Sequence, residues 1–101
     1  MHSYIINASL QVVPVTDDRH PYVWIDDAIE TIRASGIKYE IGPFATVLEG
    51  SYEEVMMTIH AVNDCLQSKG CKEWLCNIQL QIRHDRGVTA SEKTEKYYHA
   101  G

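Results

Sequence analysis

Apolar and polar residues alternate from Ile5 to Val13, with Ile6, Ala8, Leu10 and Val12 on one side and Asn7, Ser9, Gln11 and Val13 on the other. A period of two with one polar face predicts a strand covered on one side only. Pro14 and Thr16-Asp17-Asp18 close it. The period then changes. Ile25, Ala28, Ile29 and Ile32 form one stripe of a helix that carries Pro21 in its first turn and stops at Gly36. Trp24 lies off the centre of that stripe and reads as a side chain at a rim or against a neighbouring subunit.

Ile37 to Ile41 reads as a second strand, Gly42-Pro43 as a turn, and Ala45 to Glu49 as a third strand ended by Gly50. Ser51 and Glu54 have the spacing of a capping box. The helix they open carries Val55, Ile59, Val62 and Leu66 and stops at Gly70. Alternation returns from Glu73 to Arg83. Trp74, Cys76, Ile78, Leu80 and Ile82 make the apolar face, and Asn77, Gln79, Gln81 and Arg83 the polar one. After Gly87, Thr89 caps a short polar helix through about Tyr98, which has few apolar positions and should pack only at the edge. Strand, helix, strand, strand, helix, strand is the order of a ferredoxin-like α+β sandwich. Right-handed crossovers put two helices on one face of a four-stranded antiparallel sheet, with the first and fourth strands as neighbours.

The chain of 101 residues suits one domain, 1–101, with one core. A net charge of −5 and the lack of any Lys/Arg cluster disfavour nucleic acid as a partner. No apolar run is long enough to span a membrane, and the N-terminus lacks the pattern of a signal peptide, so a cytoplasmic protein is expected. Cys65, Cys71 and Cys76 match neither a disulfide framework nor a zinc knuckle and read as reduced structural residues. The five histidines are scattered, none at a metal-ligand spacing. Adjacent His84 and Asp85 would point to opposite faces of a strand. Ser51 is a cap rather than a nucleophile, and no glycine loop suits a phosphate. Nothing in this inventory requires an enzyme or a cofactor.

Two features ask for more. The polar faces of strands one and four carry Asn7, Ser9, Gln11, Asn77, Gln79, Gln81 and Arg83, uncharged for most of their length. Such a face is either solvated or packed on another subunit, where amides and hydroxyls satisfy one another without the desolvation cost of ions. Oligomerisation is the preferred reading. Thr46 and Glu49 also place a hydroxyl and a carboxylate on a segment that otherwise reads as core. Glu49 serves equally as a strand-end carboxylate at the positive N-terminus of the following helix. Thr46 serves equally as a β-branched strand residue, and Arg83 as half of an inter-subunit salt bridge.

The segments Asn7 to Pro14, Gly42 to Gly50 with Thr46-x-x-Glu49-Gly50, Glu53-Glu54-Val55, and Ile82-Arg83-His84-Asp85 occur in an order and spacing that resemble the small thiamine-binding proteins of the UPF0045 (MTH1187/YkoF-like) family. The resemblance implies a ferredoxin-like fold and a dimer of dimers with sheets brought together, a homotetramer. It also implies a pocket for thiamine, or its hydroxymethylpyrimidine part, as ligand, without catalysis. By the same resemblance Ser9, Thr46, Glu49 and Arg83 match the ligand site; Gln11, where many relatives have an apolar residue, is counted with them, and Phe44 or Tyr39 could stack on the ligand ring. Phe44 stands where relatives often have methionine, and Ala45 where they often have glycine, so both add bulk beside Thr46. Two other classes stay open: an interaction module whose sheet face makes an oligomer, and a small dimeric enzyme using Glu49.

Overall fold

A computed structural model describes residues 1–15 and 19–98, so the turn expected at Thr16-Asp17-Asp18 lies outside the described residues. The elements follow as β1 (Ile6–Pro14), α1 (Pro21–Ser35), β2 (Lys38–Ile41), β3 (Thr46–Gly50), α2 (Tyr52–Ser68), β4 (Trp74–Gln81) and α3 (Ala90–Tyr98). The sheet order is β2-β3-β1-β4 with every neighbouring pair antiparallel. This is the ferredoxin-like arrangement, with α1 and α2 over β1 and β3.

The sheet faces follow the alternation. Ile6, Ala8, Leu10 and Leu48 join Trp24, Ala28 and Ile32 of α1 and Val55, Ile59, Val62 and Leu66 of α2 in one core. Trp24 is 1% exposed, which corrects its expected place at a rim. Residues spaced by four make as good a stripe as those spaced by three, and burying the largest apolar side chain removes the most surface from water. α1 therefore rolls Trp24, Ala28 and Ile32 inward and leaves Ile25 and Ile29 half-buried on its flank. Gly36, at a φ of 79°, ends the helix in the left-handed conformation expected of it.

The capping box of α2 is reciprocal: Glu54 N–H donates to the Ser51 hydroxyl (3.2 Å), and Ser51 N–H to Glu54 Oε1 (3.1 Å). The Ser51 backbone amide, then its hydroxyl, holds the exposed Glu54 carboxyl below the usual glutamate range. With a depressed folded-state pKa, the box contributes above the ordinary glutamate value and is lost as pH falls through the lowered one. Ser51→Ala is expected to cost about 1 kcal/mol in urea unfolding at neutral pH. A loss that does not shrink on acidification would show that the charge on Glu54 plays no part.

β4 lies at the sheet edge, beyond the cover of the helices, and Ile78 and Ile82 are 42% and 41% exposed although they belong to the apolar row. The largest departure concerns α3. Instead of packing at an edge, its N-terminal part is tied to the sheet face opposite α1 and α2, through Ala90 and Lys93. Val88 N–H donates to the Ile5 carbonyl (3.0 Å), and Asn7, on the polar side of β1, becomes 3% exposed. Polar sheet residues hold α3 there, so its shortage of apolar positions does not keep it away. Among the described residues, no helix is long and apolar enough to cross a membrane.

Candidate functional site

Ladder partners share a face, so the register places each candidate. Leu10 pairs with Thr46 and Thr46 with Ile41, on the side of the helices. Asn7 pairs with Glu49, and Glu49 with Lys38, on the open side. Thr46 and Glu49 are therefore separated by the sheet and by about 10 Å along the strand. The six residues expected to share a site do not meet in one place.

Thr46 lines a narrow slot of about 130 Å³ at one end of the sandwich. Its walls are Leu10, Gln11 and Val12 of β1, the flank of α1 formed by Ile25 and Ile29, and the loop carrying Pro43 and Phe44. The loop closes tightly because Gly42 N–H donates to the Ala45 carbonyl at 2.9 Å. A Cβ at Gly42 would stand 2.8 Å from that same oxygen, so a side chain there would push the loop open. Thr46 is 8% exposed, and its hydroxyl makes no hydrogen bond among the described residues. Nothing titratable lines the slot among the described residues.

Phe44 is 82% exposed at the slot's mouth. It also borders a shallow hollow of about 230 Å³ on the open face, shared with Ser9, Gln11, Asn77 and Gln79. There Asn77 Nδ2 donates to Gln11 Oε1 at 3.1 Å. Phe44, Thr46, Ser9 and Gln11 thus surround one end of the sheet from its two sides.

Glu49 and Arg83 belong elsewhere. Glu49 is 8% exposed and accepts from the Ala90 amide (2.7 Å) through Oε1, while Oε2 pairs with Lys38 Nζ at 3.0 Å. It does sit at a helix N-terminus, but that of α3 rather than the following helix α2. Arg83 donates to the Gly87 carbonyl and to both oxygens of Glu92, each at 3.1 Å, an ion pair within the chain rather than between subunits. Glu92 in turn accepts from the Thr89 amide at 2.8 Å. The Thr89 amide, followed by Arg83, holds the Glu92 carboxyl below its ordinary range.

Ile25 and Ile29 are the slot residues that the periodicity assigned to the core. The signal for them is the width of α1's apolar surface: Trp24, Ile25, Ala28, Ile29 and Ile32 cover more of the helix than one sheet can bury. Among the described residues there is no cluster of three His, Cys, Asp or Glu able to hold a metal.

The profile of a family described as thiamine-binding protein matches residues 8–98. A UPF0045 protein of Clostridium perfringens is 30% identical over 91 residues, covering 90% of this chain and 95% of its own. The solved structure of a Bacillus cereus domain of unknown function superposes with a TM-score of 0.88 at 32% identity, covering 94% of this chain and 91% of that one. A Thermotoga maritima protein provisionally assigned to thiamine biosynthesis or salvage superposes with a TM-score of 0.83 at 33% identity, covering 92% and 98%. With the profile spanning nearly its whole length, the chain belongs to the thiamine-binding protein family, UPF0045.

Proposed function

We propose that this protein binds thiamine, or its hydroxymethylpyrimidine part, and does not transform it. The observation that carries the reading is an unpartnered hydroxyl, Thr46, in a slot whose other lining side chains are apolar apart from Gln11. Ligand pockets commonly combine apolar walls with a few placed polar groups. A space of about 130 Å³ suits one ring rather than a whole cofactor. The aminopyrimidine offers an amine donor and ring-nitrogen acceptors, and a hydroxyl can answer either. Phe44 can stack on the ring or face the thiazolium cation at the mouth. Ser9 and Gln11 line the polar hollow into which the rest of the ligand would extend. Glu49 and Arg83 fall outside this reading. A slot without a titratable lining offers no general acid or base, which favours binding over catalysis.

In the same proposal the protein is a homo-oligomer, a dimer of dimers. The open-face amides and the half-exposed Ile78 and Ile82 at the edge strand support it. Three cysteines outside any disulfide suit a reducing, cytoplasmic setting. Calorimetric titration with thiamine and with hydroxymethylpyrimidine, beside sizing by light scattering, tests the whole. Heat with both ligands from a particle larger than the 11.5 kDa chain is the expected result. No heat and no thermal shift with millimolar ligand would sink the binding, and a monomer would sink the assembly.

A further inference from the structure

Every residue from Ser91 to Tyr97 is exposed, so this stretch of α3 buries no apolar face. Its own hold on the sheet is polar, while Val88, two residues before it, is fully buried and anchors the chain there. Glu49 accepts from the Ala90 amide at 2.7 Å, Lys93 Nζ donates to Gln81 Oε1 at 2.5 Å, and Asn7 Nδ2 donates to the Val88 carbonyl at 2.5 Å. A helix of nine residues is marginal by itself, and exposed polar contacts are weak and screened by salt.

One of these contacts differs from the rest. Glu49 is a buried carboxylate, whose charge-assisted hydrogen bond is worth about twice a neutral one, whereas the charge-assisted Lys93–Gln81 contact is exposed to solvent and salt. It also has a second partner, Lys38. When the Ala90 amide withdraws, the carboxylate keeps that ion pair, so release leaves no isolated buried charge.

We propose that the segment 90–98 is a strap, hinged beside the fully buried Val88 and latched by the Glu49–Ala90 contact, that opens as a unit while the four-stranded sheet stays folded. Closed, it covers one end of the open face. Open, it bares the row Lys38, Glu49, Asn7 and Gln81, which the register sets side by side across all four strands. A second copy packed over that end of the face competes with α3 for it. The latch residues Glu49 and Ala90 line neither the slot nor the hollow of the ligand reading, so the two can be tested separately.

Hydrogen exchange on the full chain tests it. In the parent, amides of 91–98 should exchange well before those of β1 and β3. Ala90→Pro removes the latch's donor at the first helical position, where proline is tolerated. It should speed exchange of the strap by about tenfold, the worth of one charge-assisted hydrogen bond, and leave β1 and β3 unchanged. Should Ala90→Pro fail to fold, Glu49→Gln supplies the same comparison with a smaller increase. Exchange of strap and sheet in step, or a strap indifferent to both substitutions, would overturn the proposal.

Discussion

Trp24→Ala is expected to remove about 3–5 kcal/mol of folding stability, the usual cost of truncating a buried tryptophan. That is a large share of the roughly 5–15 kcal/mol that a domain possesses. The side chain is 1% exposed at the meeting of α1 with the rest of the core. The Arg19 guanidinium caps it 4.3 Å from the ring centroid. Trp24→Phe should cost far less, below about 1.5 kcal/mol. The indole N–H is buried and has no partner among the described residues, so phenylalanine removes an unsatisfied donor while keeping an aromatic ring in place. Urea unfolding followed by circular dichroism measures both. A Trp24→Ala protein within about 0.5 kcal/mol of its parent, the range of ordinary surface substitutions, would return Trp24 to a rim.

Thr46→Val should lower the affinity for thiamine about tenfold, by roughly 1–1.5 kcal/mol, without lowering the stability of the free protein. The two side chains have nearly the same shape. In the unliganded chain the hydroxyl makes no hydrogen bond among the described residues, so nothing is broken when it becomes a methyl group. Only a ligand would miss it. A threonine serving the fold gives the opposite pair of results: lost stability and unchanged affinity. Glu49→Gln, on the opposite face, should leave thiamine affinity as it is. If Glu49→Gln weakened binding and Thr46→Val did not, the ligand would sit on the open face and the slot reading would fail.

How far such a site can be read from a linear chain depends on the kind of information each residue carries. Thr46 and Glu49 lie three steps apart on β3, and an odd number of steps changes face. Their separation is legible in the strand's alternation alone, since Leu48 between them has to face the core. A resemblance that names both residues says nothing of which face each occupies. The destination of Glu49 is not legible in the same way. Its partner is the amide of Ala90, 41 residues onward, and no local pattern connects the two. Arg83 is the intermediate case: a partner within reach along the chain, Glu92, satisfies it before any second subunit is needed.

What the chain determines by itself is one-dimensional. Two periods of alternation, the Ser51–Glu54 box and the stops at Gly36 and Gly70 set the order of elements, and that order selects the ferredoxin-like sheet. These are properties of residues a few positions apart, and short-range sterics and hydrogen bonds decide them. The roll of α1, which buries Trp24 and turns Ile25 and Ile29 toward the slot, is decided by the surfaces that α1 meets. So is the course of α3 over the open face, where Asn7, Gln81 and Glu49 of three different strands receive it. Packing energy and polar satisfaction depend on which distant groups come together, and only the folded chain brings them together.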